Sequence, residues 1–239
     1  FQLFMLDTRS IYRDKQLDME NYFTENGFNK IKYKKDLIKN RNLVGKEQFN
    51  WLDKNISGKF NWSIIGQQVL IAPTVLPEIF SKLDKKSLPK YIHKYLKLGG
   101  LEIPFNTDSW DGYPKERDKL FEILSKSQSN IILTGDTHNS WLSNLFNNDK
   151  FLGVEIAAPS ISSPNTIDTF GKITDATDSD FIKSNKNLKY TNGSGKGFVQ
   201  LTIHPSHIDT KFVYVSTIKS KDYKVIDNNT FTIIHNKPL

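Results

Sequence analysis

Apolar positions in this chain come in short runs, and their spacing switches between that of a strand and that of a helix. Residues 1–6, FQLFML, are mostly apolar and predict a strand with Asp7 and Arg9 at its carboxyl end. Phe49, Leu52 and Ile56 then recur at i, i+3 and i+7, one face of a helix, so a helix is expected over 46–56, stopped by Ser57-Gly58. Residues 60–65 and 69–72 predict two strands separated by Gly66-Gln67-Gln68, the second closed by Pro73. Residues 76–100 differ in character. Ile79, Phe80 and Leu83 make one helical face, and Tyr91, Ile92, Tyr95, Leu96 and Leu98 make another after Pro89, with Gly99-Gly100 as the stop. Pro114 suits the first turn of a helix, where a missing N–H costs nothing, and Leu120, Phe121, Ile123 and Leu124 give that helix an inward face over 114–126. Short apolar runs at 131–133 and 154–157 predict two more strands.

The second half reads differently. Residues 165–187 are polar and weakly patterned, and Asn192-Gly193-Ser194-Gly195 is a turn. Beyond it, residues 197–203, 211–218 and 230–234 predict three strands. Phe198, Gln200 and Thr202 alternate with Val199, Leu201 and Ile203, the pattern of a strand with one buried face. His204-Pro-Ser-His207 and Asp227-Asn-Asn fall in the connections. The expected class is α/β: a layered β-sandwich flanked by helices, with a carboxy-terminal antiparallel meander covering one edge of the main sheet.

At 239 residues the chain is long enough for one substantial core. It starts at Phe1 in strand-like sequence, which suggests a piece of a longer polypeptide. No apolar run approaches the ~20 residues of a membrane span, and no signal segment is present. Without cysteine, disulfides and thiolate metal sites are excluded within the chain. The formal charge of +7 favours anionic partners, although a Lys-, Asn- and Ile-rich composition also produces it without any such role. The basic stretch 29–41, with Lys30, Lys32, Lys34, Lys35, Lys39 and Arg41, reads as a solvated face. A nucleic-acid-binding role would rest on charge alone, because only Tyr33 interrupts it with an aromatic ring and no binding module is recognisable.

The candidate chemistry concentrates after the run 131–133, in Thr134-Gly-Asp136-Thr-His138-Asn139. Ligands collect beyond the carboxyl ends of strands in α/β sheets, and an Asp and a His two residues apart there can reach one crevice. A carboxylate oxygen with an imidazole nitrogen suits ions of intermediate hardness. Alone, the pair is equally the signature of a turn capped by Asp. Ser160, Ser162 and Ser163, between Pro159 and Pro164, lack the Gly-x-Ser-x-Gly setting of a serine hydrolase. His93, His204, His207 and His235 are scattered without ligand spacing, and His204 and His207 are expected to face solvent from a turn.

Four blocks in register point further. They are Phe4-Met-Leu-Asp7-Thr-Arg9-Ser-Ile-Tyr-Arg13, Asp108-Ser-Trp110-Asp111-Gly112-Tyr113-Pro-Lys-Glu-Arg117, the Asp136/His138 stretch, and Val154-Glu-Ile-Ala-Ala-Pro159-Ser160-Ile-Ser162-Ser163-Pro164. Together they resemble the PhoD-like alkaline phosphatase/phosphodiesterase family of the metallophosphatase superfamily, from Phe1 to about Pro164 and more loosely over 190–216. The resemblance implies that residues 1–239 are the carboxy-terminal portion of one such domain, with 76–100 a helical insertion serving as a lid or as surface decoration. It implies hydrolysis of phosphate mono- or diesters by a metal-activated water, with Asp136 and His138 as catalytic metal ligands.

The same resemblance sets the remaining roles. Where relatives in the superfamily carry Gly-His-x-His, this chain carries Gly-Asp136-Thr-His138, and the extra carboxylate agrees with the calcium and iron described for the family, other divalent metals being compatible. Asp7, Arg9, Asp111, Tyr113 and Asn139 are expected to touch substrate or support the ligands. The family's amino-terminal ligand blocks have no match here, so the amino-terminal remainder of the same polypeptide is an expected partner. Nucleic acid enters only as a candidate phosphate-ester substrate. A secreted or periplasmic location follows from the family alone. The alternative is a non-catalytic binding or interaction module that keeps the fold with an incomplete metal site.

Overall fold

The computed structural model describes residues 1–171 and 174–239. Eleven strands occur among them: β1 (Gln2–Met5), β2 (Phe23–Thr24), β3 (Gly27–Phe28), β4 (Ser63–Gly66), β5 (Asn130–Thr134), β6 (Ser140–Asn147), β7 (Lys150–Ala157), β8 (Leu188–Asn192), β9 (Gly197–Ile203), β10 (His207–Val215) and β11 (Val225–Ile234). The helices are α1 (Lys30–Leu37), α2 (Gly45–Asn55), α3 (Ile79–Lys82), α4 (Pro114–Leu124), α5 (Thr166–Phe170) and α6 (Thr174–Ser184).

Six strands form the main sheet in the order β1-β4-β5-β7-β6-β8. The first four run parallel, and β6 is antiparallel to both β7 and β8. Successive residues of a strand face opposite sides of its sheet, and the core divides accordingly. Ile65 and Ile132 point into a cluster with Leu52 of α2 and Leu120 of α4, whereas Ile64 and Ile131 point into one with Ile208, Phe212 and Ile233 of the carboxy-terminal sheet. Burial on both faces is why the central parallel strands read as unbroken apolar runs.

The carboxy-terminal strands form a separate antiparallel sheet in the order β11-β10-β9. It packs across a face of the main sheet, not along an edge as expected, because the inward residues of β10 and β11 meet β4, β5 and β7. A third cluster joins Tyr22, Tyr33, Phe80, Leu96, Trp141 and Phe181, and so includes the insertion 76–100. That insertion is α3 followed by 3-10 turns at Lys85–Ser87, Lys90–Ile92 and Tyr95–Leu98 in place of two full helices. Phe80, Leu88, Leu96 and Leu98 are buried in the core.

Two further expectations change. Residues 69–72 form no strand, because their backbone partners are side chains and an irregular segment. The Val69 amide donates to Gln67 Oε1 at 3.0 Å, those of Ile71 and Ala72 donate to the Glu155 carboxylate at 2.7 and 2.9 Å, and Leu70 O accepts from the Trp110 amide at 3.1 Å. The segment 225–229 belongs to β11, which starts five residues before the expected 230 and includes Asp227-Asn-Asn. The weakly patterned stretch 165–187 contains α5 and α6, with residues 172–173 outside the described ones.

Candidate active site

β5 delivers the site. Beyond Thr134 the chain turns at Gly135, and Asp136 and His138 both take left-handed backbone conformations, with φ of 69° and 64°. Such conformations cost a non-glycine residue roughly 1–3 kcal/mol and persist only where the surroundings over-determine them. Here they do. The Gly135 amide donates to Gln68 O at 3.1 Å, the Ser160 amide donates to His138 O at 3.2 Å, and Trp141 Nε1 donates to Thr137 Oγ1 at 2.9 Å. Trp141 is buried beneath the loop it braces.

His138 Nδ1 lies 2.7 Å from Pro164 O. A carbonyl only accepts, so Nδ1 carries the proton and the Nε2 lone pair is left for a ligand, the arrangement that orients metal-binding imidazoles. Asp136 is exposed, and its Oδ1 accepts from Arg9 Nη2 at 2.5 Å. Arg9 Nη1 reaches Asp108 Oδ2 at 2.7 Å, and Arg13 binds the other oxygen of Asp108. Partial burial lowers the Arg9 pKa, but the hydrogen bond to Asp108 and the charge of Asp136 outweigh it, so the guanidinium is held charged. Arg9 thus bridges Asp108 and Asp136, the two loops at the carboxyl end of the sheet. Side chains about one-third exposed share such pairs with water, so the bridge contributes more to position than to stability.

The other expected residues divide. Asn139 stays close: its Nδ2 donates to Thr166 Oγ1 at 2.7 Å, and its Oδ1 accepts from the Thr166 amide at 3.2 Å. Asp7 is committed to its own turn, where it accepts from the Arg9 and Ser10 amides at 2.8 and 2.9 Å, and those amides hold its carboxyl below the usual range. Asp111 is buried against Arg117 at 2.5 Å and accepts from the Thr74 amide at 3.0 Å. Burial raises its pKa while Arg117 pulls the other way. Tyr113 donates its hydroxyl to Asp14 O at 2.7 Å and packs under Arg13. In this structure Asp7 and Tyr113 thus make contacts within the fold, and Asp111, paired with Arg117, lines the wall of the cavity described next. Ser160 is likewise tied into its loop, with Oγ donating to Ser163 O at 2.6 Å.

Two features had no clear sequence signal. Asp136, Thr137 and Asn139 form the polar side of a cavity of about 390 Å³ whose remaining wall is mostly apolar, with Phe80, Phe105 and Phe181 prominent. Its aromatic residues come from separated segments, each of which reads locally as ordinary core. The second feature is Glu155, fully buried in β7, whose carboxylate holds the irregular segment 69–72. Burial pushes its pKa up to about 7 against the pull of the two amides. Asp108 could have been suspected, since it opens the Asp108-Ser-Trp110 block without being needed for the turn that Ser109 caps.

An imidazole nitrogen freed by a carbonyl contact and an exposed carboxylate oxygen fit a metal of intermediate hardness. They are two ligands. Among the described residues no further His, Asp or Glu joins Asp136 and His138 in a three-ligand group.

Three comparisons place the chain among known proteins. A family model described as PhoD-like phosphatase matches residues 1–212. Alkaline phosphatase D of Bacillus subtilis (strain 168) is 31% identical over 209 residues, covering 84% of this chain and 30% of the relative. A solved structure titled "Structure of PhoD" superposes with a TM-score of 0.67 at 24% identity, covering 98% of this chain and 40% of that one. The chain therefore spans well under half the length of the relatives it matches. A purple acid phosphatase from yellow lupin aligns over 80% of the chain with a TM-score of 0.41, too loosely for any argument.

Proposed function

The chain belongs to the PhoD-like phosphatase family, and on that premise we propose that it is the carboxy-terminal part of the catalytic domain of a metal-dependent hydrolase of phosphate mono- or diesters. The observation that carries the reading is the strained loop after β5, which presents Asp136 and a His138 whose Nε2 is free. Asp136 and His138 would hold part of a metal centre, with calcium and iron the ions the family resemblance favours, and the rest of the polypeptide would supply the remaining ligands. Bound metal would polarise the phosphoryl group and activate water.

The chain's own residues do the positioning. Pro164 O orients His138, and Asn139 ties the loop to the start of α5. Arg9 places a charged guanidinium beside Asp136, where a phosphoryl oxygen can exchange for one of its carboxylate partners. The apolar cavity gives the organic part of an ester a place next to that charge, which favours esters of bulky apolar alcohols over small polar ones.

The test is elemental analysis of the full-length polypeptide alongside phosphate release from mono- and diester substrates. Asp136→Asn and His138→Ala should each lower metal occupancy, and should lower metal affinity and turnover by more than the ~10–100-fold typical of losing a group that merely supports a ligand. Full metal and full activity in Asp136→Asn would sink the reading. A non-catalytic module would show no turnover in the parent protein.

A further inference from the structure

We propose that His204, His207 and Asp209 form a second metal site, for a single divalent ion of the zinc class, at the opposite end of the main sheet from Asp136. They lie in and beside the turn between β9 and β10. That turn packs against Trp62 and Asn61, immediately before β4, whereas Asp136 follows the carboxyl end of the parallel neighbour β5. The two places are separate, and the proposal does not depend on the phosphatase reading.

The ligand atoms already converge. One nitrogen from each imidazole and one Asp209 oxygen all lie within 4.8 Å of one another, with His204 Nε2 and His207 Nε2 at 3.8 and 3.7 Å from Asp209 Oδ2. The rings are stacked, 4.3 Å between centroids and 16° from parallel, so their in-plane lone pairs run side by side, and at least one ring must rotate out of the stack for both nitrogens to meet one ion. Around an ion with bonds of ~2.0–2.1 Å, tetrahedral neighbours sit about 3.4 Å apart. Side-chain rotation that draws the three ligand atoms in from separations of up to 4.8 Å closes the set.

The supporting contacts are those a metal ligand needs. Thr232 Oγ1 donates to Asp209 Oδ1 at 2.7 Å, which leaves Oδ2 for the histidines. Ser206 Oγ lies 3.1 Å from His207 Nδ1; a proton on Nδ1 donated there leaves Nε2 with its lone pair. The backbone that carries the ligands is pinned at three carbonyls. His204 O accepts from Trp62 Nε1 at 2.7 Å, Pro205 O from Asn61 Nδ2 at 2.9 Å, and Ser206 O from the His235 amide at 2.9 Å. A turn backbone held in this way leaves only the side chains to be ordered on binding.

Two imidazoles and one carboxylate select zinc, nickel, cobalt or copper over the all-oxygen preference of calcium and magnesium. The three side chains are 33–43% exposed, so water can fill the open position. The ion would staple the β9–β10 turn to β11, since Asp209 pairs with Thr232.

Zn2+ binding to the full-length polypeptide tests this, measured by calorimetry with Asp136→Asn/His138→Ala present throughout to silence the candidate active centre. Adding His204→Ala/His207→Ala should remove one equivalent of bound Zn2+ and abolish that part of the rise in Tm which Zn2+ produces. Thr232→Val, which only frees the carboxylate, should weaken that equivalent by ~10–100-fold without removing it. Equal Zn2+ stoichiometry and affinity with and without the two histidines would overturn the proposal, as would a Thr232→Val variant that binds unchanged.

Discussion

Arg9 holds two carboxylates at once, Asp108 through Nη1 and Asp136 through Nη2, a planar fork that a single ammonium does not reproduce. If it also binds the phosphoryl group of substrate, Arg9→Ala should raise KM tenfold or more while leaving metal content intact, and Arg9→Lys should fail to restore KM. Steady-state kinetics with elemental analysis of the same preparations decides it; loss of metal in Arg9→Ala would instead make the residue a support for Asp136 alone. Glu155 offers a different measurement. Burial raises its pKa from 4.5 to about 7 in the folded chain, so between those values the native state binds more protons at this position than the unfolded state does. Its contribution to stability is therefore fully present below about pH 4.5 and is lost as pH rises through about 7, by at most ~3 kcal/mol. Denaturant midpoints of wild type and Glu155→Gln, compared across that window, should show wild type losing ground to the variant as pH rises. A difference independent of pH would mean that the carboxylate is ionised throughout.

The elements set how tightly those residues are held, and the clearest case is the parallel pairing of β5 with β7. A Cβ on Gly153 would lie 2.0 Å from Asn130 O, at the point where Gly153 pairs with Asn130 and the Asn130 side chain clamps Leu152 O. Gly153→Ala should part the two strands at that point, cost ~1–3 kcal/mol or more, and disturb the loop that β5 delivers. Gly135 sits in the Gly-Asp-x-His stretch itself, yet a Cβ there meets nothing within 4 Å, so Gly135→Ala should be nearly neutral in stability. Urea midpoints of the two variants test the contrast. The position of Asp136 and His138 beyond a central strand was legible because β5 is buried on both faces and so reads as an apolar run bounded by a glycine. The irregular course of 69–72 was not, since its amides bond Glu155 from 84 and 83 residues away and locally the segment has the composition of a strand. β6 was missed for the opposite reason: Ser140, Ser143 and Asn144 break its pattern although all three are buried. His204, His207 and Asp209 lie within six consecutive residues, but only the tight turn into β10 shows that their side chains converge.

At the scale of the whole molecule the sheet is covered unevenly. The carboxy-terminal sheet packs over β4, β5 and β7 through Trp62, Ile64, Ile131 and Val154, but no residue of β1 belongs to that cluster. β1 buries Phe4 on the helical side and leaves Leu3 56% and Met5 67% exposed on the other. It is also the end strand of the sheet, with β4 its sole partner among the described residues. An unpaired strand edge beside an apolar strip is a template for association with a second chain. The net charge of +7 opposes this only through long-range repulsion, which salt screens beyond ~8–10 Å. The isolated 239-residue chain should therefore self-associate, and more so as salt is raised. Leu3→Lys/Met5→Lys places two like charges on the strip without touching a buried side chain, so it should cut self-association sharply while changing stability by no more than ~0.5 kcal/mol. Light scattering against concentration at low and high salt, with a thermal melt of each protein, makes the comparison. Equal self-association of the parent and the double variant would move the sticky surface away from β1 and leave the apolar cavity beside Asp136 as the next place to look.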